Sequence, residues 1–175
     1  MSRAPEDKPQ NREQTVGIDD LAVYVPGLYL PLEGEFSRSR GVDPGKLIRG
    51  IGIEKMAVSD AHEDAATMAA MSLLLLMRRS RLHPEDIGKI YVGTESSADE
   101  AKAMGTYVIG MLEQVYGPGS FRECGTVEFK AACIATTFAL ESQSYWLAGE
   151  DEGKVGGVIA SDVAKYPLAS PGEYP

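Results

Sequence analysis

The chain has 175 residues and a mass of 18.8 kDa, enough for one compact domain with a core but short of the usual two. Its 43% hydrophobic and 25% charged residues exclude the low-apolar, high-charge composition of a disordered protein. With 26 acidic residues against 17 Lys and Arg, the formal charge of −9 opposes general binding to nucleic-acid phosphates or anionic membrane surfaces.

Residues 1–15 (MSRAPEDKPQNREQT) are polar and contain proline, without the apolar stretch of a secretory signal, and predict a flexible tail before a domain at 16–175. The longest strongly apolar run, residues 68–77, is about half of the ~20 that a membrane helix needs, so no span and a cytoplasmic protein are expected. Residues 16–24 (VGIDDLAVY) are β-prone and closed by Val25-Pro26-Gly27, which predicts a first strand. Residues 30–56 combine a short helical piece with Gly41, Pro44, Gly45, Gly50 and Gly52 and read as irregular surface. Arg38, Arg40, Lys46, Arg49 and Lys55 make this the densest basic cluster, either a solvated loop or a local anion site on an acidic protein.

Polar caps at 59–64 precede residues 65–81, rich in Ala, Leu and Met and ending in Arg78, Arg79 and Arg81, a strong helix pattern. Leu73 to Leu76 put apolar side chains on nearly every face, so this helix is expected between layers, its Met and Leu stripe in the core. His83, next to Pro84, reads as a surface residue. Residues 89–94 (KIYVGT) predict a strand and 98–116 a helix; residues 125–129 (GTVEF) and a helix to 147 repeat the unit; residues 155–160 (VGGVIA) give a third strand. Strands alternating with helices of this length predict right-handed crossovers and an α/β fold with a mainly parallel sheet.

In such sheets reactive groups collect at the carboxyl ends of the strands, where Glu95, Cys133 and Asp162 fall. Cys133 is at a strand-to-helix junction, whose free backbone N–H groups and helix dipole favour a thiolate and can hold an oxyanion. The competing reading is a small buried hydrophobe. Cys124, in a turn before a strand, has no helix start behind it and reads as structural. Two cysteines without a CxxC pattern or a nearby histidine fit neither a disulfide scaffold nor a zinc site, and no metal is implied. Glu95 either caps the next turn or lies partly desolvated in a cleft, where it suits general acid–base work. Asp162 is a cap, a turn residue or part of the same site.

Several separated segments have the order and spacing of hydroxymethylglutaryl-CoA synthases, and the sequence resembles the archaeal-type branch most. They are Gly17-Ile18-Asp19-Asp20, Gly50-Ile51-Gly52-Ile53-Glu54-Lys55-Met56-Ala57-Val58, Thr94-Glu95-Ser96, Phe129-Lys130-Ala131-Ala132-Cys133, Ala160-Ser161-Asp162-Val163-Ala164-Lys165-Tyr166 and Ser170-Pro171-Gly172-Glu173. The resemblance implies a thiolase-like fold of paired α/β halves, with this chain the N-terminal half. It implies Cys133 as the nucleophile acetylated by acetyl-CoA, Glu95 as the acid/base in condensation with acetoacetyl-CoA, and Asp162 as a supporting residue; the substrates carry the chemistry and no cofactor is expected. Arg40 and Lys46 are the expected contacts to CoA phosphates.

Family members run well beyond this length, and their later part carries a histidine that polarises the acetoacetyl ketone. His62 and His83 match nothing catalytic, and the last strand of the half is missing from 16–175. The resemblance therefore implies a separately encoded second half, then a higher-order dimer. The alternatives are a polyketide β-branching synthase subunit fed by an acyl carrier protein, a noncatalytic subunit of a thiolase-like complex, and a fragment of an ordinary full-length enzyme.

Overall fold

The computed structural model describes residues 15–149, 153–167 and 170; the tail expected at 1–15 lies, Thr15 apart, outside them. Three parallel strands form the central sheet. β3 (Ile87–Thr94) is in the middle, with β4 (Gly125–Lys130) on one side and β5 (Val155–Ala160) on the other. Parallel neighbours need crossovers, supplied by α3 (Met104–Tyr116) between β3 and β4 and by α4 (Ala135–Ala148) between β4 and β5. α2 (Ala65–Ser80) precedes the sheet. The expected α/β class and all three of these strands are present.

α2 and α3 pack together on the face of β3 that carries Ile90 and Val92, with Ala69, Leu73, Met77, Met104, Val108 and Leu112 filling the layer between. Full burial of each large aliphatic side chain contributes roughly 1.5–3 kcal/mol, so this layer holds the domain together. α4 packs on the sheet as well, and Gly93 sets how closely it does so: a Cβ there would meet the backbone of Thr136, with the Thr136 Cα at only 2.6 Å. Among the described residues no helix is long and apolar enough to cross a membrane.

Side chains set the helix boundaries. Asp64 accepts the Thr67 N–H at 2.7 Å while Thr67 Oγ1 accepts the Asp64 N–H at 2.7 Å, a reciprocal cap that starts α2. α2 ends one residue before the expected limit, because Arg81 takes a left-handed conformation (φ 56°) as its C-cap. α3 starts at Met104 rather than 98. The Asp99 carboxylate accepts the N–H groups of Ala101 and Lys102 at 2.7 and 3.0 Å and folds them into a turn, and Glu128 of β4 accepts the Met104 N–H at 2.7 Å. The expectation that α2 is covered all round is corrected: Leu73 and Leu74 are buried, but Met71 and Leu75 are 39% and 40% exposed. Four consecutive leucines necessarily spread around a helix, and the sheet and α3 cover one side of it.

Two further expectations are corrected. Residues 28–58 are more ordered than an irregular surface: β1 (Leu28–Pro31) pairs antiparallel with β2 (Lys55–Val58), and α1 (Glu35–Arg40) and a π-helical turn, Lys46–Ile51, lie between them. Leu32, Phe36 and Leu47 form their own small core. Residues 16–24, expected as a strand, run without ladder pairing; a strand needs a neighbour to accept its backbone hydrogen bonds. This segment is instead tied to α2, where Arg79 donates to the Asp20 carboxylate, from Nε at 3.1 Å, and to the Leu21 carbonyl.

The Arg79 guanidinium, helped by the Ser80 hydroxyl and the Leu21 N–H, lowers the Asp20 carboxyl from an ordinary 3.8 to about 2. A carboxyl lowered on folding contributes stability that is complete above its unfolded value and lost as pH falls through its folded value. The tie should therefore hold above about pH 4 and release toward pH 2, read as faster amide exchange over residues 16–24. In Asp20→Asn the same exchange should already be fast at neutral pH; equal protection in both proteins would remove Arg79–Asp20 as the anchor.

Candidate active site

The register places the ends of the three parallel strands side by side. Thr94 pairs with Lys130, and Gly93 with Ala160, so β3, β4 and β5 finish along one edge of the sheet. Glu95 is the first residue past β3, Asp162 lies just past β5, and Cys133 lies in the turn that joins β4 to α4. The three residues expected at the strand ends are on the same end.

Cys133 is exposed, not packed in the core. It sits in the 3-10 turn Ala132–Ile134, and the chain enters this turn through Ala132 at φ 47°. Left-handed backbone at a non-glycine residue costs about 1–3 kcal/mol and recurs where a turn presents a reactive side chain. α4 follows at Ala135, and no side chain caps its start. The Ala135 N–H is taken by the Ala132 carbonyl, but with no side-chain cap the positive end of the α4 dipole faces negative charge developing near the sulfur.

Asp162 organises the neighbouring strand ends. Its Oδ1 accepts from Thr94 Oγ1 at 2.7 Å, the Glu95 N–H at 2.6 Å, the Ser96 N–H at 3.1 Å and Ser96 Oγ at 2.8 Å. A carboxylate from the end of β5 thereby fixes the backbone that carries Glu95. Thr94 and Ser96 are functional candidates that the sequence reading gave no role; the available signal was hydroxyl residues on both sides of Glu95.

The remaining candidates lie elsewhere. Arg40 ends α1 and Lys46 begins the π-helical turn, both in the 28–58 layer. Neither lines the groove of about 1040 Å³ that borders Asp162, which is walled by Leu21, Val23, Tyr24 and Pro26 on one side and by Val158, Ile159 and Ala160 on the other. Cys124 fits its structural reading: it is half-buried, and burial pushes its thiol up to about 11. His83 is exposed, as expected.

A family model described as hydroxymethylglutaryl-coenzyme A synthase N terminal matches residues 12–172. The chain belongs to that family. A hydroxymethylglutaryl-CoA synthase of Haloferax volcanii is 42% identical over 160 residues, covering 91% of this chain and 36% of the relative. One from Enterococcus faecalis is 36% identical over 159 residues, covering 91% and 39%. The chain thus spans little more than a third of the curated relatives it matches, aligned with the N-terminal part of the family.

Solved structures agree. One described as MvaS in complex with 3-hydroxy-3-methylglutaryl coenzyme A superimposes with a TM-score of 0.79 at 38% identity, covering 89% of this chain and 36% of that one. The curacin pathway HMG synthase in complex with acetyl donor-ACP gives 0.74 at 26% identity, covering 89% and 36%. The fold is the thiolase-like one expected from the sequence.

Exposure and burial separate the two cysteines. Limited iodoacetamide at pH 7.5, followed by peptide mapping, should label Cys133 and leave Cys124 largely unmodified, since the thiolate is the attacking form. Comparable labelling of Cys124 in folded protein would contradict its half-buried packing against the core.

Proposed function

We propose that the chain is the nucleophile-bearing part of an acyl-CoA condensing enzyme of the hydroxymethylglutaryl-CoA synthase type. The carrying observation is that parallel strands deliver Glu95, Cys133 and Asp162 to one sheet edge in a chain of that family. Cys133 Sγ attacks the thioester carbonyl of acetyl-CoA; the new S–C bond replaces the bond to CoA, which leaves as its thiol with the proton that the cysteine surrenders. N–H groups at the start of α4 steady the oxyanion. Glu95 then removes a methyl proton, and the resulting carbon nucleophile bonds to the ketone carbon of acetoacetyl-CoA, whose oxygen takes up a proton. Water cleaves the enzyme thioester, returning the Cys133 thiol and freeing the new carboxylate. Arg40 and Lys46 are assigned to CoA phosphates by charge alone.

Intact mass after incubation with acetyl-CoA should rise by one acetyl group, and Cys133→Ala should abolish the gain. Glu95→Gln should still acetylate but lose solvent exchange of the acetyl methyl protons by roughly 10²–10⁴-fold, the usual worth of a general base. Acetylation that persists in Cys133→Ala would refute the assignment. The curacin neighbour, whose donor is an acyl carrier protein, supports one second reading, a carrier-fed β-branching synthase; acylation from acetyl carrier protein but not from acetyl-CoA would select it.

The rest of the enzyme is assigned to a partner polypeptide. Phe138, Leu140 and Tyr145 of α4, with Ile134 in the turn before it, are exposed, a large apolar area to present to water. Among the described residues β5 pairs with β3 alone, and the groove beside Asp162 lies between its open edge and the unpaired segment near Leu21 and Pro26. This arrangement suits an added strand, because open edges recruit extended chain. Co-expression with the later part of a full-length relative should give a stable complex and condensation activity, with size-exclusion chromatography as the readout. A monodisperse isolated chain with full activity would overturn the partner assignment.

A further inference from the structure

One hydroxyl on the turn that carries Glu95 reaches both strand ends. Ser96 Oγ donates to the Asp162 carboxylate at 2.8 Å and accepts the Val163 N–H at 2.9 Å. The Ser96 N–H is shared between Thr94 Oγ1 and Asp162 Oδ1, each at 3.1 Å. Thr94, fully buried, donates to that same oxygen at 2.7 Å. The β3 end is thereby joined to the β5 end by a closed set of hydrogen bonds, with the Glu95 N–H (2.6 Å to Asp162) inside it.

The geometry has a direction. Thr94 belongs to the rigid, buried strand, and its hydroxyl needs no help from the turn to stay in place. Asp162 lies on the segment that leaves β5, outside any regular element, and is exposed. Ser96 Oγ is the atom that bonds to two successive residues of this segment, Asp162 through its side chain and Val163 through its backbone. It sets the distance between the turn and the leaving segment, and with it the position of the carboxylate that holds the Glu95 amide.

We propose that Ser96 is a positioning residue that fixes the Glu95 backbone through Asp162 and so aims the Glu95 carboxyl at the acyl group on Cys133. The part concerning the acyl group rests on the proposed function; the latch itself rests on the hydrogen bonds alone. Removing the hydroxyl takes a donor from Asp162 and an acceptor from Val163, while Cys133 sits on a different strand end with its own turn. The effect therefore falls on proton removal, not on acetyl transfer. A displacement of about 1 Å at a reacting group lowers rate on the order of 10²-fold.

The test uses the full chain as Ser96→Ala and Ser96→Thr, with three readouts: amide exchange at Glu95, uptake of acetyl by Cys133, and washout of deuterium from a trideuterated acetyl group on the enzyme. Ser96→Ala should speed exchange of the Glu95 amide, leave acetyl uptake near the wild-type rate and slow washout roughly 10–100-fold. Ser96→Thr, which keeps the hydroxyl, should restore both exchange and washout toward wild type. Unchanged protection of the Glu95 amide in Ser96→Ala overturns the latch. An equal loss of acetyl uptake and washout also overturns it, since that pattern means general collapse of the site. If the wild-type chain takes up no acetyl group even when co-expressed with the later part of a full-length relative, the proposed function fails by itself, and the amide exchange still decides the latch.

Discussion

A single carboxylate oxygen on Asp162 carries the arrangement at the strand ends. It collects donors from Thr94, Glu95 and Ser96 and so binds the exit of β5 to the exit of β3. Hydrogen bonds to an ionised acceptor are stronger and shorter than neutral ones, and several converging on one atom leave the turn little freedom. Without that anchor, the residue after β3 would be an ordinary exposed turn residue, free to move on the time scale of loops.

The anchor works because the sheet below it is rigid. β3 is buried from Ile90 to Thr94, with Ile90 and Val92 under α2 and α3 and Gly93 close to α4. Register then does the rest: once Thr94 lies opposite Lys130 and Gly93 opposite Ala160, the loops after all three strands must meet at one edge. Cys133 depends on the same scaffold by a different route. Its turn is fixed by the end of β4, by left-handed Ala132 and by the start of α4, and Gly93 lets that helix start approach the central strand.

The unpaired surfaces have a common explanation. The apolar residues left bare beside and along α4, the open edge of β5 and the unladdered segment at 16–24 are, among the described residues, surfaces without a packing or ladder neighbour, in a chain that spans little more than a third of the relatives it matches. The segment at 16–24 has strand composition and no strand neighbour, so propensity alone does not make it one. Its attachment to α2 through Arg79 and Asp20 keeps it alongside the groove that it helps to wall.

Much was legible from residue order alone. The alternation of β-prone and helix-prone runs located β3, β4 and β5, because each run is β-prone and set off from the helix-forming segments, and it put Glu95, Cys133 and Asp162 after strands. The separated motifs identified the family, since their joint spacing is far more restrictive than any one of them. Helix starts and the 28–58 layer were less legible: Met104 is capped by Glu128 from another strand, and β1 finds β2 across intervening helical turns. The latch among Thr94, Ser96, Asp162 and Val163 was decided by tertiary structure. Its partners are more than sixty residues apart in the chain, and hydrogen bonds need distances and angles that composition and periodicity do not encode.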